Sequence, residues 1–182
     1  MMGNKIMPGD IAEIKTQIGY SYCMFTHAFD KHNDIVAVFD TVYESPLKDI
    51  DFDNVIANPL RFPQVIVAFR KIVKVGIWKK VAHREVPDRL KKFPLFKWFN
   101  PLNSSDWWLK DDKNEWRIGK LNEEQIKLPL YRYVNAVEVE NYITGNSQYG
   151  ILRPLVQWFL YHPNCARLQR VQLRWFSVVG VV

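Results

Sequence analysis

Residues 10–27 read DIAEIKTQIGYSYCMFTH, and this stretch decides the fold class. From Asp10 to Thr16, Ile11, Glu13 and Lys15 alternate with Ala12, Ile14 and Thr16, a short and imperfect period of two. Alternation of this kind sends successive side chains to opposite faces of a strand. Gly19 supplies a turn, and the aromatic-rich run from Tyr20 to His27 reads as a second strand. The simplest link between two such neighbours is a hairpin.

Working outward, Ile35 to Tyr43 contains Ile-Val-Ala-Val-Phe, which predicts a third strand buried on both faces. Asp49 to Asn58 is polar and acidic, a loop or one short helical turn that Asp51 or Asp53 can cap. Arg61 to Phe69 restores the strand pattern, and Gly76 opens another short segment, Ile77 to Val81. Pro87 to Pro101 places three prolines among aromatics, which predicts an ordered, irregular crossing and not a central strand. Ser104 to Asp106 reads as a turn. After it, Trp107 to Lys110 and Glu115 to Ile118 flank the polar Asp111 to Asn114, a hairpin pattern.

Asn122 followed by Glu123, Glu124 and Gln125 is a helix cap with acids in the first turn. Ala136 to Ile143 fits helix or strand. Beyond Gly150 the composition changes. Pro154 suits a first helical turn, Leu155, Val156, Phe159 and Leu160 share one helical face, and Ala166 to Phe176 fits a second, arginine-rich helix. The expected fold is mainly β (α+β), a strongly bent or barrel-like antiparallel sheet with a short helix and a C-terminal helical appendage. The expected domains are 1–148 and, for the appendage, 149–182.

The 182 residues are 48% hydrophobic and 14% aromatic, enough for a real core, and 24% charged, which is ordinary for a globular domain. Only two cysteines occur, Cys23 and Cys165, which fits a reducing compartment better than a disulfide framework. The N-terminal residues lack the apolar core of a signal peptide, and no run nears the roughly 20 apolar residues that span a bilayer. The expected location is the cytoplasm, with no membrane partner.

Charge is unevenly spread. Residues 30 to 58 hold seven acids against two bases, whereas 69 to 92 hold nine bases against Glu85 and Asp88. Residues 151 to 182 add four arginines and no acid. Such polarity either steers a charged partner toward one face or simply keeps the protein in solution.

Chemistry finds little support. His27, His32, His83, His162, Cys23 and Cys165 show no metal-ligand spacing, and Cys23 and His27 on one strand would stand about 13 Å apart. No serine occupies a nucleophile elbow, and no glycine-rich phosphate cradle exists. Pairs such as Glu138 and Glu140, or Glu123 and Glu124, read as solvated faces. The expectation is a binding protein without catalytic residues, metal or cofactor. One candidate partner is nucleic acid, held by Arg70, Lys71, Lys74, Lys79, Lys80, Arg84, Lys91 and Lys92, with Trp78, Phe93, Phe96 and Trp98 stacking on bases.

The order of features also resembles a known family. Pro8-Gly9-Asp10-Ile11-Ala12-Glu13-Ile14, then Gly19-Tyr20-Ser21-Tyr22 and the strand Ile35-Val36-Ala37-Val38-Phe39-Asp40, is similar to immunity protein 26 of bacterial polymorphic toxin systems. Pro59-Leu60-Arg61-Phe62, Gly76-Ile77-Trp78-Lys79, Phe93-Pro94-Leu95-Phe96 and the stretch Trp108 to Leu121 extend the resemblance, which covers about residues 7 to 145. Cys23-Met24 departs from the usual pattern, and 151 to 182 has no counterpart. The resemblance implies a mainly β fold and a role in bacterial competition, neutralising a cognate toxin by occlusion.

Tight occlusion requires a buried interface of about 1,600 Å² with a few aromatic or arginine anchors. Adjacent Trp107 and Trp108 should point to opposite faces of a strand, one in the core and one exposed. The exposed one, with Lys110 or Arg117 beside it, is the candidate anchor, and Asp49, Asp51 and Asp53 are candidate contacts to a basic toxin. A third reading gives the segment 151–182 a role in homodimerisation.

Overall fold

The computed structural model describes residues 5–48, 51–100 and 103–146. In chain order the elements are β1 (Asp10–Thr16), β2 (Gly19–Ala28), β3 (Asp34–Val38), α1 (Phe52–Ala57), β4 (Val65–Val67), α2 (Phe69–Lys74) and β5 (Lys79–His83). They continue as α3 (Asp88–Lys91), β6 (Phe96–Asn100), β7 (Asn103–Lys110), β8 (Glu115–Gly119), α4 (Glu123–Ile126), β9 (Tyr133–Val134) and α5 (Ala136–Thr144). The appendage expected over 149–182 lies outside the described residues.

Strands β1 and β2 form the expected hairpin, with Ile11 opposite Met24 and Glu13 opposite Tyr22. Its turn needs Gly19, whose φ is +132° and where a Cβ would lie 2.4 Å from the Tyr43 carbonyl oxygen. The hairpin is the middle of a six-stranded sheet ordered β5-β1-β2-β3-β4-β9. All neighbours in it are antiparallel except β4 and β9. A second sheet of three strands is ordered β6-β7-β8. The chain is thus mainly β, built from two open sheets and not from a closed barrel.

The six-stranded sheet is covered on both faces, which explains its nearly unbroken apolar runs. One face presents Ala12, Ile14, Cys23, Phe25, Val36, Val38, Val65 and Val67 to α2, to Trp78 and to α5. The other presents Ile11, Tyr22, Met24, Ala37 and Phe39 to Phe52 and Val55 of α1 and to Leu90 of α3. Phe96 joins Ile35 and Ile66 on that same second face and so ties the small sheet to the large one. Each fully buried Phe or Ile contributes about 1.5–3 kcal/mol over leaving it exposed.

Several elements differ from the sequence reading. The third strand ends at Val38, because Phe39 turns to bridge Leu60 and Tyr43 to bridge Tyr20. The acidic stretch does contain a helix, α1, but Asp51 makes no side-chain cap. The strand expected over 61–69 is only Val65–Val67, and Phe69 opens a helix instead. There Phe69 and Ile72 are buried, and the Asp34 carboxylate accepts the Arg70 backbone amide at 3.0 Å. The proline-rich crossing holds a strand, β6, at the edge of the small sheet, and Ser104 to Asp106 extend β7 where a turn was expected. Asn122 caps α4 as expected, through a reciprocal bond with Gln125, and Asn135 caps α5 the same way with Glu138.

Candidate partner-binding surface

The small sheet gathers six aromatic residues on three short strands. Its hairpin forms locally. Asp111 Oδ1 accepts the amides of Lys113 at 2.8 Å and Asn114 at 2.6 Å, which closes the β7–β8 turn and holds the Asp111 carboxyl below the ordinary carboxylate range. Cross-strand register then sorts the side chains onto two faces.

One face carries Trp98, Asp106, Trp108, Lys110, Glu115 and Arg117. Trp108 stands opposite Trp98 and Arg117 in register. The two indoles stack with centroids 5.6 Å apart and planes 24° apart. Arg117 Nε lies 2.6 Å from Asp106 Oδ1, and Lys110 Nζ lies 3.4 Å from Glu115 and 5.5 Å from the Tyr131 ring. The opposite face carries Lys97, Phe99, Trp107, Leu109 and Trp116. Phe99 packs on Trp107 at 5.1 Å. Lys97 is buried, donates to the Ile126 carbonyl and approaches the Trp107 ring, and burial pulls its ammonium below the ordinary lysine range.

Three of the expected anchors, Trp108, Lys110 and Arg117, therefore share a face, and Trp107 lies on the other. The division of the tryptophan pair into one core and one exposed residue is not what the structure gives. Both are half-buried, and a bulge between them shifts the register against β8. The exposed tryptophan of this sheet is Trp116, at 39% exposure, on β8 opposite Leu109. The next residue, Arg117, points to the other face, and its side chain is 64% exposed. The reading from sequence overlooked Trp116, although its position between Glu115 and Arg117 on a hairpin arm was the signal of an outward-facing strand.

The acidic candidates are not brought to this sheet. Asp51 is exposed beside α1, Asp53 on α1 pairs with Arg84 at 2.8 Å, and Asp49 lies outside the described residues. The basic block is also divided. Arg70 pairs with buried Asp34, Lys80 with buried Asp10, and Lys91 with both Glu85 and Asp88. Arg89 donates to the carbonyls of Ile56 and Asn58. Opposite charges that lie in separate blocks of sequence thus meet in the fold. Of the aromatics proposed to stack on bases, Trp78 and Phe96 are in the core, and Phe93 and Trp98 are half-buried within ring clusters.

Among the described residues no group of three His, Cys, Asp or Glu could hold a metal ion, and no helix is long and apolar enough to cross a membrane. Cys23 is buried as a free thiol, and Cys165 lies outside the described residues. The arrangement on the small sheet suits recognition, since it offers stacked rings beside a guanidinium on one face and an exposed indole on the other.

Residues 7–108 match the family model described as immunity protein 26. The chain belongs to the immunity protein 26 family. No curated protein and no solved structure matches it. The matched span includes β6 and ends at Trp108 within β7, so Trp116 and Arg117 lie beyond it.

The immunity protein 26 motifs have structural roles. Gly9 has a φ of +95°, and a Cβ there would lie 2.3 Å from the Arg84 carbonyl oxygen. Asp10 is fully buried, with Lys80 Nζ at 2.7 Å and His83 Nδ1 at 2.9 Å, and its other oxygen accepts the Met7 amide at 2.9 Å. This glycine–acid pair clamps β1 to the edge strand β5. Tyr22 is buried, accepts the Leu47 amide at 2.7 Å and donates to Glu13 at 3.3 Å. Trp78 is the core anchor that packs edge-on against Phe69.

Proposed function

We propose that this chain is a non-enzymatic immunity protein that binds a cognate bacterial toxin and neutralises it by covering the toxin's active or binding surface. The observation that carries the reading is the family match over residues 7–108. The contact surface includes the β7–β8 hairpin, with Arg117 as an exposed anchor beside Trp108 and Lys110 on one face and Trp116 exposed on the other. Tryptophan and arginine are among the residue types enriched where truncation costs most at interfaces. The protein acts in the cytoplasm of the cell that it protects. A nucleic-acid face is the weaker reading, because Arg70, Lys80, Arg84 and Lys91 each have an acidic partner within the fold.

The test is co-purification of the tagged chain from its own host, with and without nuclease and at two salt concentrations. The proposal expects a toxin domain that survives nuclease, that is lethal when expressed alone and that is harmless when co-expressed with this chain. Recovery of nucleic acid that falls away steeply with salt, with no toxin domain, would overturn it.

A further inference from the structure

The corner between α2 and β5 carries a charge pattern that the fold leaves unsatisfied. Most bases of residues 69–92 are engaged internally, as described above. Lys71, Lys74 and Lys79 are exposed and make no ion pair among the described residues. Lys71 and Lys74 stand three apart on α2 and so project from neighbouring positions on one side of the helix. Lys79 opens β5, and its cross-strand neighbour Glu13 accepts the Tyr22 hydroxyl. Between these lysines lie Val75 at 60% exposure and Ile77 at 58%, separated by Gly76.

This corner is built and not slack. Ile72 and Trp78 on either side of it are buried, at 7% and 1% exposure. Three backbone bonds close the corner: Val75 N to Lys71 O at 3.0 Å, Gly76 N to Val73 O at 3.1 Å and Ile77 N to Ile72 O at 3.1 Å. Gly76 has a φ of +79°, and a Cβ there would touch nothing within 4 Å, so the tip faces open space. A preformed protrusion with two aliphatic side chains loses little conformational entropy when it docks.

We propose that this corner is a second toxin contact, fitting an acidic surface of the cognate toxin around an apolar depression that takes Val75 and Ile77. The inference rests on the immunity reading above and names the chemistry of its partner. Three uncompensated lysines call for acidic groups opposite them, and charges at the rim of an interface act chiefly on encounter rate and on salt dependence. The exposed side chains between the lysines are aliphatic and not aromatic, which favours a protein surface over stacked bases.

The probe is the purified toxin domain recovered in the co-purification, titrated against the full-length chain at low and at moderate salt. Lys71→Glu/Lys74→Glu should weaken binding by about tenfold or more and flatten its salt dependence. Val75→Ala/Ile77→Ala should weaken it several-fold at either salt concentration. All four positions are exposed, and an unchanged thermal midpoint shows that the variants remain folded. If the wild-type chain binds the toxin and both variants bind it equally well, the corner is not a contact and the inference fails while the immunity reading stands. The inference also fails if the charge reversal leaves toxin binding intact and abolishes retention of a 30-nucleotide oligomer or of vesicles containing phosphatidylglycerol. If the wild-type chain binds no toxin at all, the immunity reading fails and takes the corner with it.

Discussion

The fully buried carboxylate of Asp34 on β3 lies 2.8 Å from Arg70 Nε on α2, and its other oxygen accepts the Arg70 backbone amide. Burial pushes the Asp34 carboxyl above the ordinary carboxylate range, against the pull of Arg70. The acid therefore depends on its partner. Arg70→Ala should cost about 2 kcal/mol, less than a fully buried pair because the arginine side chain is partly exposed. Adding Asp34→Asn should restore part of the loss, since it removes the stranded charge. Urea denaturation of the two variants checks this, and a double variant weaker than the single one would refute it.

Gly9→Ala should destabilise the chain by more than about 2 kcal/mol, because the new Cβ meets backbone and the positive φ is unfavourable for alanine. The damage should fall on β5. Hydrogen exchange would then rise first at Lys79–His83, and uniform loss of protection would contradict the clamp.

Tyr22 should matter through its hydroxyl. Burial pushes its phenol up to about 12, with a further rise from Glu13, opposed by the Leu47 amide. An acid with a raised folded value favours folding only while it is protonated. Its contribution is intact below pH of about 10, the unfolded value, and is lost as the pH climbs from there toward 12. Tyr22→Phe should cost about 1 kcal/mol at neutral pH and should soften the loss of stability in that alkaline window. Equal alkaline slopes for the two proteins would exclude the assignment.

Arg117→Ala should leave stability within about 0.5 kcal/mol, since its side chain faces solvent, whereas Trp116→Ala should cost about 1–2 kcal/mol, since the ring is only 39% exposed. Each should weaken toxin binding by about tenfold or more. Calorimetry with the toxin domain, alongside a thermal melt, separates the two effects. Full affinity in both variants would remove the hairpin from the interface.

Cys23 should resist thiol reagents. Burial pushes its thiol well above the ordinary range, so the reactive thiolate is scarce and sheltered. In a Cys165→Ser background, labelling at pH 8 should proceed only as fast as the chain unfolds.

The β1–β2 hairpin was legible because its information is local. Alternation, Gly19 and the short turn sit within one stretch of chain. The β7–β8 hairpin and the cap at Asn122 were legible for the same reason. What escaped the sequence depends on distant partners. The run Arg61 to Phe69 reads as one strand, yet Asp34 binds the Arg70 amide and the core takes Phe69 and Ile72, so a helix begins there. The acidic and basic blocks read as opposed faces because nothing local indicates that Asp53 will meet Arg84. The half-burial of both Trp107 and Trp108 accompanies a register shift between them against β8, which no periodicity announces.

The core face over β1 to β4 is finished by residues that arrive late. Val134 follows β4 in parallel register, and Val139, Tyr142 and Ile143 pack into the same cluster as Ala12 and Val36. About 70 residues separate the end of β4 from the start of α5, and at roughly 5–20 residues per second a ribosome needs several seconds to deliver them. During that interval a nascent chain has α2 and Trp78 on this sheet face but lacks the part of the cover that α5 supplies. Delivery of the chain through Thr144 is therefore the step that seals this face, and a nascent chain held short of it presents apolar surface of the kind that chaperones bind.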